Sequence, residues 1–161
     1  INSFKKYSFK NFIISSGYKS DLIKTYLGNG KKLGVNIEFL EEKKPLGTAG
    51  PIFQIKKKVK RNDYFFLING DIFTRLNFSK LISFAKKGNF ELVVAYVNKT
   101  QKNSYGVMNI KNNIVSSIIE KPTNKHSINT GVYVIKNTKN LSKISKNKFL
   151  TMPKLIDLYG A

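Results

Sequence analysis

Tyr64-Phe65-Phe66-Leu67-Ile68-Asn69-Gly70-Asp71 is a continuous apolar run that stops abruptly in a polar turn. Such a run suits a strand buried on both faces, as in a parallel sheet covered by helices. On its N-terminal side, Leu46-Gly47-Thr48-Ala49-Gly50-Pro51 makes a flexible turn that feeds a helix over Ile52, Phe53 and Ile55. Before it, Val35-Asn36-Ile37-Glu38-Phe39 alternates with the period of a half-buried strand. Phe12-Ile13-Ile14-Ser15 reads as an earlier strand closed by Gly17-Tyr18. Ser20 is placed to cap a helix with Asp21 in its first turn, running through Leu22, Ile23 and Tyr26 to Gly28-Asn29-Gly30. On the C-terminal side, Asn77 caps a helix carrying Phe78, Leu81, Ile82 and Ala85 on one face and ending at Gly88. Residues 91–97 are strand-like again.

Beyond that point the rhythm changes. Residues 105–110, 114–119 and 128–135 read as strands with no long helix between them, and Asn112-Asn113 fits a hairpin turn. Thr151 is placed to cap a last helix with Pro153 near its first turn. Strand–helix alternation followed by antiparallel strands argues for an α/β sandwich with a mostly parallel sheet, expected as a single domain over residues 1–161.

Composition sets outer limits. At 161 residues, 41% hydrophobic and 12% aromatic, the chain has the material for a packed core and is not disordered as a whole. No apolar run approaches the length of a membrane span, so no membrane association is expected. The lack of cysteine excludes disulfides, thiolate metal sites and a cysteine nucleophile. The opening Ile1-Asn2-Ser3-Phe4, without an initiator Met, points to a piece of something longer. The formal charge is +20, yet only Arg61 and Arg75 are arginines; the other 27 cations are lysines. Nucleic-acid readers lean on arginine for bidentate contacts, and no RNP-like motif or zinc finger accompanies the charge. Lys, Asn and Ile share A/T-rich codons, so compositional drift would account for much of the excess without any polyanionic partner. A nucleic-acid-binding domain rests on charge alone. The run Lys56-Lys57-Lys58-Val59-Lys60-Arg61 reads as the solvated end of a helix, where cations are favoured.

Ligands of an open α/β sheet bind outside the carboxyl ends of its strands. Asp71 follows directly on an apolar strand, with Gly70 allowing close approach. It suits a hard cation such as Mg²⁺ shared with substrate phosphates, and equally an ordinary Gly-Asp turn. Gly47, Thr48 and Gly50 precede a helix N-terminus, where backbone N–H groups can meet a nucleotide; the alternative is a plain loop-to-helix entry. Glu120 and Lys121, stiffened by Pro122, offer a carboxylate for sugar hydroxyls and an ammonium for a phosphate, or merely a surface ion pair. Asn129-Thr130-Gly131 interrupts an apolar strand, which a close ligand or a β-bulge would explain. His126 is the sole histidine, following Lys125 in an expected loop, so no histidine-based relay or metal cluster can form.

Taken in order, Gly17-Tyr18, Val35-Asn36-Ile37, Leu46-Gly47-Thr48-Ala49-Gly50-Pro51, Asn69-Gly70-Asp71, Tyr105-Gly106-Val107, Glu120-Lys121-Pro122 and Asn129-Thr130-Gly131-Val132-Tyr133 resemble the sugar-1-phosphate nucleotidyltransferases, most closely their mannose-1-phosphate guanylyltransferase-like branch. The resemblance implies a Rossmann-like three-layer α/β sandwich with a mixed, mostly parallel sheet. It also implies Mg²⁺-dependent transfer of a nucleotidyl group, GTP favoured, to a sugar 1-phosphate for surface-glycan precursors in the cytoplasm. By motif, Asp71 would hold the metal, and Gly17, Gly47, Thr48 and Gly50 would lie by the nucleotide. Gly106, Glu120, Asn129 and Thr130 would read the sugar, and Lys121 would neutralise its phosphate. Relatives often pair, so a homo-oligomer is a further expectation.

The chain departs from the family pattern in lacking its Gly-Gly-x-Gly-Thr-Arg-Leu loop, the Pro-Lys that follows, and a later metal-binding aspartate. An interior segment incomplete at both ends is therefore expected, inactive in isolation and exposing a central sheet edge. A noncatalytic sugar-nucleotide-binding module is the alternative.

Overall fold

The computed structural model describes residues 1–42, 44–146 and 148–160. Helix α1 (Asn2–Lys5) leads into strand β1 (Asn11–Ser16), helix α2 (Ser20–Leu27), a 3-10 turn (Lys31–Leu33) and strand β2 (Asn36–Glu41). Then come α3 (Ile52–Ile55), β3 (Tyr64–Ile68), α4 (Phe78–Lys87), β4 (Leu92–Lys102), β5 (Val107–Lys111), β6 (Ile114–Ile119), β7 (Thr123–Lys136), a 3-10 helix (Lys139–Lys143) and α5 (Met152–Gly160). The mixed α/β architecture expected from the sequence is present, with parallel and antiparallel pairings. The chain divides into two compact units, residues 1–93 with 133–161, and residues 94–132.

The first unit holds the core. β1 and β2 pair in parallel, Asn11 opposite Asn36 through Ser16 opposite Glu41. A separate sheet has the order β3-β7-β4, so β1 and β3 each keep an unpaired edge among the described residues. β3 was expected to be buried on both faces; all five of its residues are instead half-buried, because the side toward β1 opens into clefts. What joins the two sheets is aromatic packing. The Phe4 ring stacks on Phe78 at 3.9 Å and 13°, and meets Phe66 of β3 and Phe12 of β1 edge-on at 5.3 and 6.0 Å. Phe78 is 1% exposed.

Helix ends follow local chemistry, with two departures from expectation. Asn77 caps α4, its Oδ1 accepting the Lys80 N–H at 2.9 Å. Ser20, however, lies inside α2; the preceding Lys19 takes a left-handed φ of 54°, and the Ser20 hydroxyl shares a hydrogen bond with Ser16. At α5 the Met152 N–H is accepted by the hydroxyl of Thr48, from a distant loop. Asn137 Nδ2 donates to the carbonyls of Lys56 and Val59 just past α3, at 3.0 and 2.6 Å. Lys56 Nζ donates to the carbonyls of Leu141 and Ile144, a 3-10 segment it thereby anchors. Desolvation and then neighbouring Lys57 lower its pKa. The basic run thus begins with a structural ammonium.

The second unit has almost no interior. β5 and β6 form an antiparallel hairpin whose residues are all exposed. Asn112 and Asn113 sit at φ of 50° and 63°, the left-handed pair a tight hairpin turn requires. His126 lies exposed within β7, in a strand where a loop was expected.

Phe78→Ala should cost about 3–5 kcal/mol, read as a fall in the midpoint of denaturant unfolding. The Tyr159 hydroxyl is buried and finds no partner among the described residues. Burial, and then the Glu91 carboxylate, push its pKa well up. The hydroxyl is thus a buried, unpaired cost at neutral pH, and because the folded state resists its ionisation, stability falls further as pH rises past the phenol's unfolded value. Tyr159→Phe should therefore add about 1 kcal/mol at neutral pH. It should also flatten the loss of stability above about pH 10, measured as denaturant melts at two pH values.

Candidate functional site

A cleft of about 570 Å³ opens in the first unit where β1 and β3 end. Ser15 and Ser16 from β1, Gly47 and Thr48 from the following loop, and Asn69 and Gly70 after β3 line it. Asp71 sits between Gly70 and Ile72, both in the wall, and is exposed. The turn is closed by the Ile72 N–H donating to the Asn69 carbonyl at 3.3 Å. A Cβ on Gly70 would meet nothing within 4 Å, so a ligand can approach the backbone there. Among the described residues, no three His, Asp or Glu side chains converge. A cation at Asp71 would therefore need further oxygen ligands from bound phosphates, a coordination habit that suits Mg²⁺ and this single hard carboxylate.

The loop over residues 46–50 is held by the chain's far end. The Leu150 N–H donates to the Leu46 carbonyl at 2.8 Å, and the Ala49 N–H to the Leu150 carbonyl at 2.9 Å. Gly47 has φ of +76°, and a Cβ there would stand 2.6 Å from the Leu150 oxygen. Buried Gly50 would place a Cβ 2.3 Å from the Leu46 oxygen. Both glycines are thus demanded by the loop's own packing. Thr48 is exposed; its oxygen accepts from Met152, and none of the hydrogen bonds among the described residues uses its hydroxyl hydrogen.

Glu42 escaped the sequence reading. Its carboxylate lies in the cleft wall, accepting from Ser15 Oγ at 2.7 Å and from the Leu46 N–H at 3.0 Å. It ties the end of β1 to the start of the 46–50 loop. An acid four residues before Leu46 was the only available sign. Gly17 lies beside it, where a Cβ would make ordinary contact with the Glu42 carbonyl at 3.7 Å. Gly17 borders this cluster rather than lining the cleft.

The second unit carries the other predicted residues, at two places along its strands. The Val107–Ile119 register brings Gly106 and Glu120 together, so a Cβ on Gly106 would stand 2.9 Å from Glu120 Oε2. Lys121 follows at φ of 46°, an uncommon conformation for a non-glycine residue and one disfavoured before Pro122. The Asn103 N–H donates to the Pro122 carbonyl at 3.0 Å and fixes this corner. Thr130 Oγ1 donates to the Ala95 carbonyl at 2.7 Å, and Asn129 Oδ1 accepts from the Gly131 N–H at 2.9 Å. With Gly131 at φ of 74°, backbone irregularity accounts for much of the polarity in this strand. Glu120, Lys121 and Asn129 are exposed.

The sequence profile described as nucleotidyl transferase matches residues 1–152. A mannose-1-phosphate guanyltransferase of Yarrowia lipolytica is 31% identical over 132 residues, covering 78% of this chain and 36% of its own length. A D-glycero-alpha-D-manno-heptose 1-phosphate guanylyltransferase of Campylobacter jejuni is 34% identical over 133 residues, covering 81% of this chain and 57% of its own. The chain thus spans between about a third and three fifths of these relatives. Among solved structures, HddC of Yersinia pseudotuberculosis complexed with GMP-PN superposes with a TM-score of 0.69 at 25% identity, over 95% of this chain and 69% of that one. No helix among the described residues is long and apolar enough to cross a membrane.

Gly47→Ala combines a left-handed φ with a backbone clash and should destabilise by more than about 1 kcal/mol. Thr48→Val removes the hydroxyl that accepts the Met152 N–H and should cost about 1 kcal/mol of stability. Thermal melts, with amide exchange at Met152 as the local reading, check both.

Proposed function

The chain belongs to the nucleotidyl transferase family, and on that premise we propose that it carries nucleotide- and sugar-facing parts of a sugar-1-phosphate nucleotidyltransferase. GTP is the favoured donor, and surface-glycan precursors made in the cytoplasm are the destination of the product. An oxygen of the sugar phosphate attacks the α-phosphorus of the triphosphate; the bond to the bridging oxygen breaks and pyrophosphate leaves. Positioning and charge neutralisation supply most of the acceleration in such transfers.

The observation that carries this reading is the cleft at the carboxyl ends of β1 and β3, walled by Gly47, Thr48, Asn69 and Gly70, with Thr48 and the adjoining Asp71 exposed. It has the position at which α/β sheets take ligands. Thr48 would donate its hydroxyl hydrogen to the nucleotide, and the open backbone at Gly70 would admit phosphate oxygens. Asp71 would hold Mg²⁺, which supplies positive charge to the phosphates when bound. In the second unit, Gly106, Glu120 and Asn129 would read sugar hydroxyls, with Thr130 beside Asn129 in the strand, while Lys121 would offset the charge of the sugar phosphate. Support for guanine comes from the guanylyltransferase names of the similar proteins and from a neighbour solved with GMP-PN.

Binding of a fluorescent GTP analogue, with and without Mg²⁺, tests the reading. Asp71→Asn should weaken Mg²⁺-dependent binding by about tenfold or more and leave metal-free binding unchanged. Equal affinities in wild type and variant at all Mg²⁺ concentrations would sink it. Affinity for DNA that falls steeply with salt and ignores Asp71 would favour a charge-driven nucleic-acid binder instead.

A further inference from the structure

Asparagine precedes glycine twice in the chain, at Asn29-Gly30 and at Asn69-Gly70. The pairing matters chemically because glycine has no Cβ to shield its backbone nitrogen from the preceding side-chain amide. The fold treats the two copies in opposite ways. Gly30 is buried at φ of +84°, and a Cβ there would stand 2.7 Å from the Val35 oxygen. Its N–H donates to the Leu27 carbonyl at 3.2 Å. Asn29 Oδ1 accepts the Lys31 N–H at 3.2 Å, and the Asn29 carbonyl accepts the Ile37 N–H at 3.0 Å. Nucleophile and target are both held in place. Asn69 and Gly70, by contrast, are exposed in the turn after β3. Among the described residues, neither the Asn69 side chain nor the Gly70 N–H makes a hydrogen bond. The Ile72 N–H, donating to the Asn69 carbonyl at 3.3 Å, closes this turn. The contrast is set by backbone bonds inside each pair's own turn.

We propose that Asn69-Gly70 is a self-modification site, at which the Gly70 nitrogen attacks the Asn69 side-chain amide in the folded chain while Asn29 is spared. Hydroxide takes the Gly70 amide proton, and a bond from that nitrogen to Asn69 Cγ forms as the Cγ–Nδ2 bond breaks. Nδ2 leaves as ammonia, taking a proton from water and returning the hydroxide. Water then opens the resulting succinimide at either of its carbonyls, leaving an aspartate or an isoaspartate. Either product sets a new carboxylate in the cleft wall, two residues before Asp71. The isoaspartate also lengthens the backbone between β3 and Asp71. The site stands on the exposure and bonding of the two turns and is independent of the nucleotide reading.

The test is to age the chain for days in mildly alkaline buffer at body temperature, folded and, in parallel, in denaturant. Digested peptides are read by mass spectrometry, and enzymatic methylation counts the isoaspartate. In the folded chain the Asn69 peptide should deamidate at least about tenfold faster than the Asn29 peptide. In denaturant the two rates should converge, since only the fold separates them. At Gly70 an added Cβ meets nothing within 4 Å and φ is not left-handed, so Gly70→Ala should fold. It should slow the Asn69 reaction by about tenfold or more, because the new Cβ crowds the attacking nitrogen. An Asn69 that stays intact in the folded chain, or one that reacts no faster there than Asn29, would overturn the proposal. So would the same rate ratio persisting in denaturant, or an Asn69 rate untouched by Gly70→Ala.

Discussion

The stack of Phe4 on Phe78 is the contact the first unit depends on most. β1 with β2, and β3 with β7 and β4, form two hydrogen-bonded systems with no ladder between them among the described residues. A hydrogen-bonded sheet transmits its register through the backbone; two separate sheets must be held by side chains. Phe4 does this from a one-turn helix by reaching Phe12, Phe66 and Phe78 at once. Edge-on and stacked rings add roughly 0.5–1.5 kcal/mol per pair beyond burial. Their larger effect here is geometric, because they set how far apart β1 and β3 stand.

A second constraint shapes the candidate site. The 46–50 loop does not hold itself open; the segment around Leu150 supplies its pairing partners, and Thr48 returns the tie by accepting from Met152. Loop and α5 are therefore ordered together, across about a hundred residues of sequence. Gly47 and Gly50 exist because two backbones come too close for a Cβ. Flexibility, the usual reason for glycines before a helix, is the opposite of what they provide.

Some of this was legible in the sequence. Asn77 as a cap, Asn112-Asn113 as a left-handed turn and the limits of β6 are local effects, written in one or two residues. The half-burial of β3 was not legible in its own apolar run; the expectation of an exposed sheet edge came only from the missing family motif. Nor was the capping of α5 by Thr48, or the role of Glu42, since both depend on contacts set by the tertiary fold. Ser20 shows the same limit from the other side. A serine before a helical pattern suits a cap, yet the buried Ser16 hydroxyl offers it a partner, and the left-handed Lys19 starts the helix without it. The order of the motifs carried more information than any one of them, since each taken singly is an ordinary turn.

The two units hold their functional candidates by different means. In the first, the loop and the turn sit on a core that includes Leu46, Ala49, Ile52 and Leu155, all nearly inaccessible to solvent. In the second, only Gly131 and Val132 are buried, so Glu120 and Lys121 are positioned by strand pairing and a few hydrogen bonds. Backbone strain at Lys121 must be sustained by that thin framework, chiefly the Asn103–Pro122 bond. A strained residue persists only where its surroundings over-determine it. With little buried surface to do so, this corner is the place where local opening should cost least. Under the proposed function, the nucleotide would thus meet a preformed surface, while the sugar phosphate would be read by a segment free to adjust to it.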